Sequence, residues 1–409
     1  MQTLQTILRA LRHRPFFWLW SGQSISRIGD YLYELALSWW VLEKTGSPEA
    51  MSLVLVLAFA PMLLFLLIGG VAVDRFPRVP IMLLSDILRG VLVTFVAVLA
   101  FAGSLEVWHV YIASLTFGLV DAFFQPAYAA TVPDVTPTAD LPSANALTNM
   151  SVQIARVVGP VAGAALVTAG GTPLAFAFNA ASFFLSMLCL LPLLTLQLPK
   201  HSEPGATQPS LLHDLREGFA TVLQSPFIWI TILIAALTNV TLVGPYSIAI
   251  PYLVKDRFDG DVNVLGWLYA MFPIGYILGG LWVARQSRLR WRGWTTYVSI
   301  LLAGLGMCVL GWQVPLWVLM AAALMNGAAL QVDTLIWTTT LQEMVPADRL
   351  GRVSSIDSLG SFALLPIGLA ATGWATARLG AAWVCLLGGA LTMGAAVLGL
   401  AHPKVRELD

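Results

Sequence analysis

Twelve runs of mostly apolar residues, six before a single hydrophilic gap and six after it, leave this chain few ways to fold. They cover 15–42, 48–73, 79–103, 106–130, 140–169, 173–196, 226–254, 262–284, 294–312, 314–341, 350–377 and 381–402. A helix needs about 20 residues to cross the hydrocarbon core of a bilayer. Composition agrees with that solvent: 58% of the 409 residues are hydrophobic and 11% are charged, against about 25% charged in a soluble domain. The expected fold is an all-α integral membrane protein of 12 transmembrane helices.

The gap, 197–225, holds Pro199, Lys200, Glu203, Pro204, Gly205 and Pro209. Inside it, Leu211–Leu223 reads as an amphipathic helix lying on the membrane surface. The predicted organisation is a six-helix bundle over 1–196, a cytoplasmic linker over 197–225 and a second bundle over 226–409. With both termini and the linker in the cytoplasm, 15 of the 22 Lys and Arg residues fall on the inner side and four outside. That excess sets the orientation.

A repeat joins the two halves. Gly69–Arg78, Gly-Gly-Val-Ala-Val-Asp-Arg-Phe-Pro-Arg, returns 210 residues later as Gly279–Arg288, with its glycines and arginines kept and Asp74 replaced by Ala284. Pro15-Phe16-Phe17-Trp18 returns 211 residues on as Pro226-Phe227-Ile228-Trp229, and Pro137 and Gly159 return 209 residues on as Pro346 and Gly368. Six-helix halves with cytoplasmic ends are parallel repeats, related by an axis along the membrane normal.

Several function classes find no support. Lys+Arg and Asp+Glu are equal at 22 each, with no basic tail for nucleic acid. Cys189, Cys308 and Cys385 lie in apolar runs without metal or disulfide spacing. His13, His109, His201, His213 and His402 are scattered at loops and ends, and no nucleophile–base pattern emerges. No cofactor is expected. The basic, amphipathic Met1–Arg14 leads into an apolar run too long for a signal peptide, so it is expected to be retained.

Gly70-x-x-x-Asp74-Arg75-x-x-Arg78 after the second span, within a 6+6 arrangement, resembles the major facilitator superfamily. Three stretches are similar to its branch of macrolide-efflux proteins and the enterobactin exporter: Ser26-Arg27-Ile28-Gly29-Asp30, Ser85–Gly90, and Gln125-Pro126-Ala127 with Asn145-Ala146-Leu147. Gly159-Pro160-Val161-Ala162-Gly163 resembles the antiporter motif. The resemblance implies two bundles related by pseudo-twofold symmetry, alternating access, proton-coupled export of amphipathic small molecules and a monomer in the bacterial inner membrane. It also implies that Asp74, with Gly70, Arg75 and Arg78, latches the cytoplasmic side against the start of helix 11, near Leu350–Ser354. Without a latch, Arg75 and Arg78 would mark topology alone. The loop departs from the family pattern at Val79-Pro80, and its second copy lacks the aspartate.

Ionisable groups inside a span are costly, so each is a functional candidate. Arg27, Asp30 and Glu34 share one face of helix 1, by spacings of three and four. Either Asp30, with Glu34, binds and releases a proton, or Arg27 and Asp30 form a permanent ion pair. Asp86 and Arg89 in helix 3 read as a structural pair or a gate contact. Helix 5 carries Arg156, whose anionic partner is Asp121, Asp30 or the substrate. Gly159, Pro160 and Gly163 pack helix 5 closely on its neighbours, and that packing could also limit leak. Asp121, Asp333 and Asp357 serve transport or line a wetted wall. Trp39, Phe123, Phe124, Tyr246, Phe272 and Trp337 are candidates to line a cavity for bulky amphipathic, even cationic, compounds. A lysophospholipid or siderophore transporter of the same fold and a transport-inactive sensor or scaffold are the alternatives.

Overall fold

The computed structural model describes residues 8–195, 219–286 and 291–406. Among them there is no strand. The long helices are α1 (Arg14–Thr45), α2 (Pro48–Arg75), α3 (Arg78–Phe101), α4 (Val107–Asp134), α5 and α6 (the two limbs of Leu141–Leu190), α7 (Pro226–Arg257), α8 (Val262–Ala284), α9 (Arg292–Gly311), α10 (Leu316–Met344), α11 (Ala347–Phe362 and Leu365–Leu379) and α12 (Ala381–Ala401). Each sits on one of the twelve predicted runs. Among the described residues, ten continuous helical segments are long and apolar enough to cross a membrane. One of these, Thr138–Thr195, contains both α5 and α6. The remaining helix, α1, is long enough, but Gln23, Arg27, Asp30 and Glu34 hold its hydropathy down. Most of the predicted surface helix Leu211–Leu223 lies outside the described residues, as do Lys200, Arg216, Arg288 and Arg290.

Local chemistry sets the ends. Gly46, at φ 60°, closes α1 and donates its N–H to the Leu42 carbonyl, a left-handed cap that suits glycine. Glu106 and His109 form a reciprocal capping box at the start of α4, with the Glu106 N–H on His109 Nδ1 at 3.0 Å. Gly171, at φ 75° and ψ 175°, separates α5 from α6; a side chain is strained in that conformation. In α7, Pro245 and Pro251 each remove a helical N–H donor, and the helix widens to π geometry over Asn239–Val243 and Pro245–Ala249.

The chain divides into two compact units. The first is Met1–Gly46, Leu53–Pro204 and Val262–Gly266; the second is Ser47–Ser52, Gly205–Asp261 and Trp267–Asp409. Their buried clusters share a plan. Phe16, Val132, Ala144 and Leu147 in the first have Phe227, Leu341, Val353 and Ile356 as repeat mates in the second.

Lipid tails are as apolar as leucine, so close backbone approach and polar contacts hold such helices together. A Cβ on Gly69 would stand 1.9 Å from the Ala122 carbonyl oxygen of α4. A Cβ on its repeat mate Gly279 would stand 2.4 Å from the Ala328 carbonyl oxygen of α10. Gly118 on α4 and its mate Gly327 on α10 return the contact, at 2.0 Å from Ala58 O and 1.9 Å from Phe272 O. Gly70 has open space instead. Gly69→Val is therefore expected to cost about 1–3 kcal/mol by overpacking, and Gly70→Ala almost nothing. Heat-challenged size-exclusion of solubilised protein checks this; equal midpoints would refute the close α2–α4 approach.

Helix α1 is gripped on two sides. A Cβ on Gly159 of α5 would meet Tyr31 Cβ at 2.5 Å, and one on Gly163 the Leu32 carbonyl at 2.9 Å. On the other side, Gly22 and Gly29 of α1 lie against Ser186 and Ser182 of α6. Pro160 is buried between the two α5 glycines. The expected close packing of the 159–163 stretch is thus made on the part of α1 that carries Asp30.

Candidate functional site

A chain of polar side chains runs through the first unit. Gln23 Nε2 on α1 donates to Ser186 Oγ on α6 at 2.9 Å, and Ser186 Oγ donates to Asp86 Oδ2 on α3 at 2.7 Å. Asp86 Oδ1 accepts from Arg89 Nη2 at 2.8 Å, while Arg89 Nη1 donates to Asp121 Oδ1 on α4 at 3.1 Å. The guanidinium also lies over the rings of Phe124, at 4.2 Å, and Phe183, at 4.8 Å. The Asp86 side chain is 0% exposed and that of Arg89 4%, whereas Asp121 keeps 30%. A buried ion pair survives when hydrogen bonds satisfy its remaining atoms, and Ser186, itself held by Gln23, supplies one to Asp86. The helix-3 pair is therefore part of a two-carboxylate hub on one arginine, reaching α4 as well.

Asp30 is half-buried, and its Oδ1 is sealed from solvent with no hydrogen-bond partner. Arg89, Asp121, Asp86 and Arg27 all act on it electrostatically. Arg27 stands over the Tyr128 ring, 5.1 Å from its centroid. The permanent Arg27–Asp30 ion pair that spacing allowed is not formed, because the guanidinium turns to the aromatic face instead. Glu34, one turn on, is exposed and feels Arg156. Arg156 Nε donates to Tyr31 Oη at 2.8 Å. Among the partners expected for Arg156, Asp121 is engaged by Arg89.

At the end of α2, Asp74 and Arg75 are exposed. Arg78, at the start of α3, bonds the Asp134 carboxylate and the Ala130 carbonyl, the latter at 2.9 Å, at the end of α4. Glu343, the repeat mate of Asp134, is bonded by Arg292 at the start of α9. The ion pair thus recurs although the loop aspartate does not. The 3-10 turn Leu8–Arg12 is pinned nearby: Ala10 N–H donates to Ser143 Oγ at 3.0 Å, and Asp140 pairs with Arg9 at 2.9 Å and His13 at 2.7 Å.

The second unit is built differently. Its described lysines and arginines all lie near helix ends. Asp357 accepts from Trp337 Nε1 at 3.0 Å and Ser361 Oγ at 3.3 Å, and Asp333 has a buried Oδ1 without a partner. Tyr246 on the π segment of α7 stacks on Tyr269 at 5.2 Å and meets Phe272 at 5.5 Å; Phe272 stacks on Tyr276 at 6.4 Å. The Tyr246 and Tyr269 hydroxyls donate to carbonyls of α8 and α7, each at 3.3 Å, which fixes the row. Two of its rings, Tyr269 and Tyr276, were not among the aromatic candidates. Of those that were, Trp39 is buried and donates to Glu43, and Phe124 is buried against Arg89. Phe123 and Trp337 are half-buried.

Among the described residues, long apolar helices with ionisable groups bonded to one another inside them define a multi-pass membrane protein. The chain belongs to the transmembrane secretion effector family of the major facilitator superfamily, whose model matches residues 5–409. It is 24% identical to macrolide efflux protein A of Streptococcus pyogenes over 96% of this chain and 97% of that one. It is 28% identical to the multidrug efflux pump Tap of Mycolicibacterium fortuitum, over 93% and 94% of the two chains. With the enterobactin exporter of Escherichia coli O1:K1 it shares 26% identity, over 84% and 81%. A solved POT family transporter with a thioalcohol-conjugated peptide has the same fold, at TM-score 0.76 and 13% identity, over 96% and 97% of the chains. The macrolide, multidrug and enterobactin relatives are efflux transporters, and this chain fits an efflux transporter of the same superfamily.

Proposed function

We propose that this protein is a proton-coupled exporter of amphipathic small molecules, working as a monomer by alternating access in the bacterial inner membrane with both termini cytoplasmic. The observation that carries the reading is Asp30, whose partnerless buried oxygen lies in range of two arginines and two other carboxylates. Such a group is well placed to change protonation as its surroundings change. The two six-helix halves at 1–196 and 226–409 are its moving parts. Gly70, Asp74, Arg75 and Arg78 serve its inner gate, with the Arg78–Asp134 pair as the fixed hinge post of that gate. Everted vesicles with an acidified lumen test the proposal. They should accumulate a fluorescent amphipathic dye, and a protonophore should stop it. Accumulation equal to vesicles lacking the protein would leave the transport-inactive sensor or scaffold.

The aromatic row supports bulky, partly aromatic substrates. Losing one ring forfeits roughly 0.5–1.5 kcal/mol of aromatic contact. Phe272→Ala should therefore raise KM for dye about two- to tenfold, with the maximal rate little changed. A KM that does not move would take the row out of the binding site.

The match to enterobactin exporters favours a second reading, export of a siderophore. Siderophore content of the medium from an iron-starved deletion strain separates the two.

A further inference from the structure

We propose that the Arg89 guanidinium is a shared counter-ion that exchanges one arm between Asp121 and Asp30, and that whichever carboxyl it leaves holds the coupling proton. The proposal rests on the proton-coupled reading above.

The two arms of Arg89 are unequal. Nη2 is fixed on Asp86, which is fully buried and braced by Ser186 and, behind it, Gln23. Nη1 reaches Asp121 alone, by a bond of 3.1 Å to a side chain that is 30% exposed. The rings of Phe124 and Phe183 hold the cation by their faces. Cation–π attraction requires only that the cation stay over the ring face, so the rigid guanidinium can pivot about its Nη2–Asp86 bond and re-aim Nη1. Asp30 is the competitor: its Oδ1 is buried without a hydrogen-bond partner and lies within electrostatic reach of Arg89.

The other groups around Asp30 do not supply this function. On α1, Arg27 is turned to Tyr128, while Tyr33 and Glu34 follow on the same helix. From α3 come Asp86 and Arg89, and from α4 Asp121. From α5, Arg156 bonds Tyr31 and acts on Glu34. From α6, Asn179 and Ser182 lie beside Gly29 and do not titrate.

Each exchange balances in protons, and the return exchange, with release at Asp121 and uptake at Asp30, restores the starting state. A proton from water adds to the accessible Asp121 carboxylate and weakens its bond to Nη1. The arm turns to Asp30, and the Asp30 carboxyl releases its proton as the ion pair forms. One proton enters at Asp121 and one leaves at Asp30, with no redox change. In the state described here Asp121 holds the arm, so Asp30 holds the proton. A neutral carboxyl is the less costly species at a buried oxygen that lacks a partner.

The test is a structure of purified Asp121→Asn at neutral pH, together with infrared spectra of the protonated-carboxyl band. That band is assigned to Asp30 by its loss in Asp30→Asn. In Asp121→Asn, Arg89 Nη1 should be bonded to Asp30 and the band should disappear. Arg89 still directed at position 121 overturns the proposal, whatever the band does. Asp121→Ser provides the same measurement should the asparagine variant misfold. Neither readout requires transport, so failure of the exporter reading in vesicles and failure of the exchange are separate results.

Discussion

Replacing Arg89 with methionine is expected to cost about 3–5 kcal/mol, the usual effect of stripping one partner from a buried ion pair. That is a large share of the roughly 5–15 kcal/mol by which whole domains are stable, so the heat-resistant, monodisperse fraction should fall sharply. The cause is Asp86, whose side chain is 0% exposed and cannot turn to water. Asp121, 30% exposed, contributes less. The origin of the loss can be isolated. In Asp86→Leu/Arg89→Met both charges are gone and only apolar groups of similar size remain, an exchange that is often close to neutral. The double variant should recover most of the monodisperse, heat-resistant protein that Arg89→Met loses. If the double variant is as unstable as the single one, the aromatic and α4 contacts of Arg89, rather than the orphaned Asp86, hold the unit together.

The spans were readable because their cause is local. Twenty apolar residues can satisfy their backbone in a bilayer in few ways, and Gly46 and Gly170-Gly171 mark breaks by their own conformational freedom. Partners were harder to read. The three-residue spacing of Asp86 and Arg89 predicts their pair, but nothing along the chain says that α3 is rotated so as to reach Asp121 on α4. The same ignorance of rotation left Arg156 with three candidate partners, and Tyr31, a neutral side chain, was not among them. Arg27 shows the limit from the other side. Spacing put a carboxylate within reach, and the Tyr128 ring, distant in sequence, attracted the guanidinium instead. In the second half, the search for a copied aspartate failed because the retained element is an ion pair. Its acid, Glu343, ends α10, and its base, Arg292, lies beyond the copied loop.

The units therefore share their packing and differ in their charges. Glycine contacts between α2 and α4 recur between α8 and α10, and the Arg78–Asp134 pair recurs as Arg292–Glu343. The interior arginine hub does not recur: Asp333 and Asp357 act on one another, and no lysine or arginine bonds either among the described residues. On the function proposed above, proton handling is assigned to the first unit and substrate recognition through the aromatic row to the second.

Asp30→Asn follows from that division as the second large effect. Asparagine keeps the shape of the side chain and stays neutral in every state, so the variant resembles permanently loaded protein. Uphill export should fall to the level of vesicles without the protein, because the position can no longer release a proton. Counterflow, in which labelled substrate exchanges for unlabelled substrate on the other side, requires no net proton movement and should persist. The pH dependence should flatten as well. Wild-type export should rise with lumenal acidity, whereas variant exchange should be nearly constant over the same range. Both assays use one vesicle preparation, with the dye gradient read under an imposed pH difference and exchange read without one. Undiminished uphill export by Asp30→Asn would move the coupling proton to another carboxylate, with Asp121 and Glu34 next in line. Loss of exchange along with export would show that Asp30 holds substrate or shape rather than a proton.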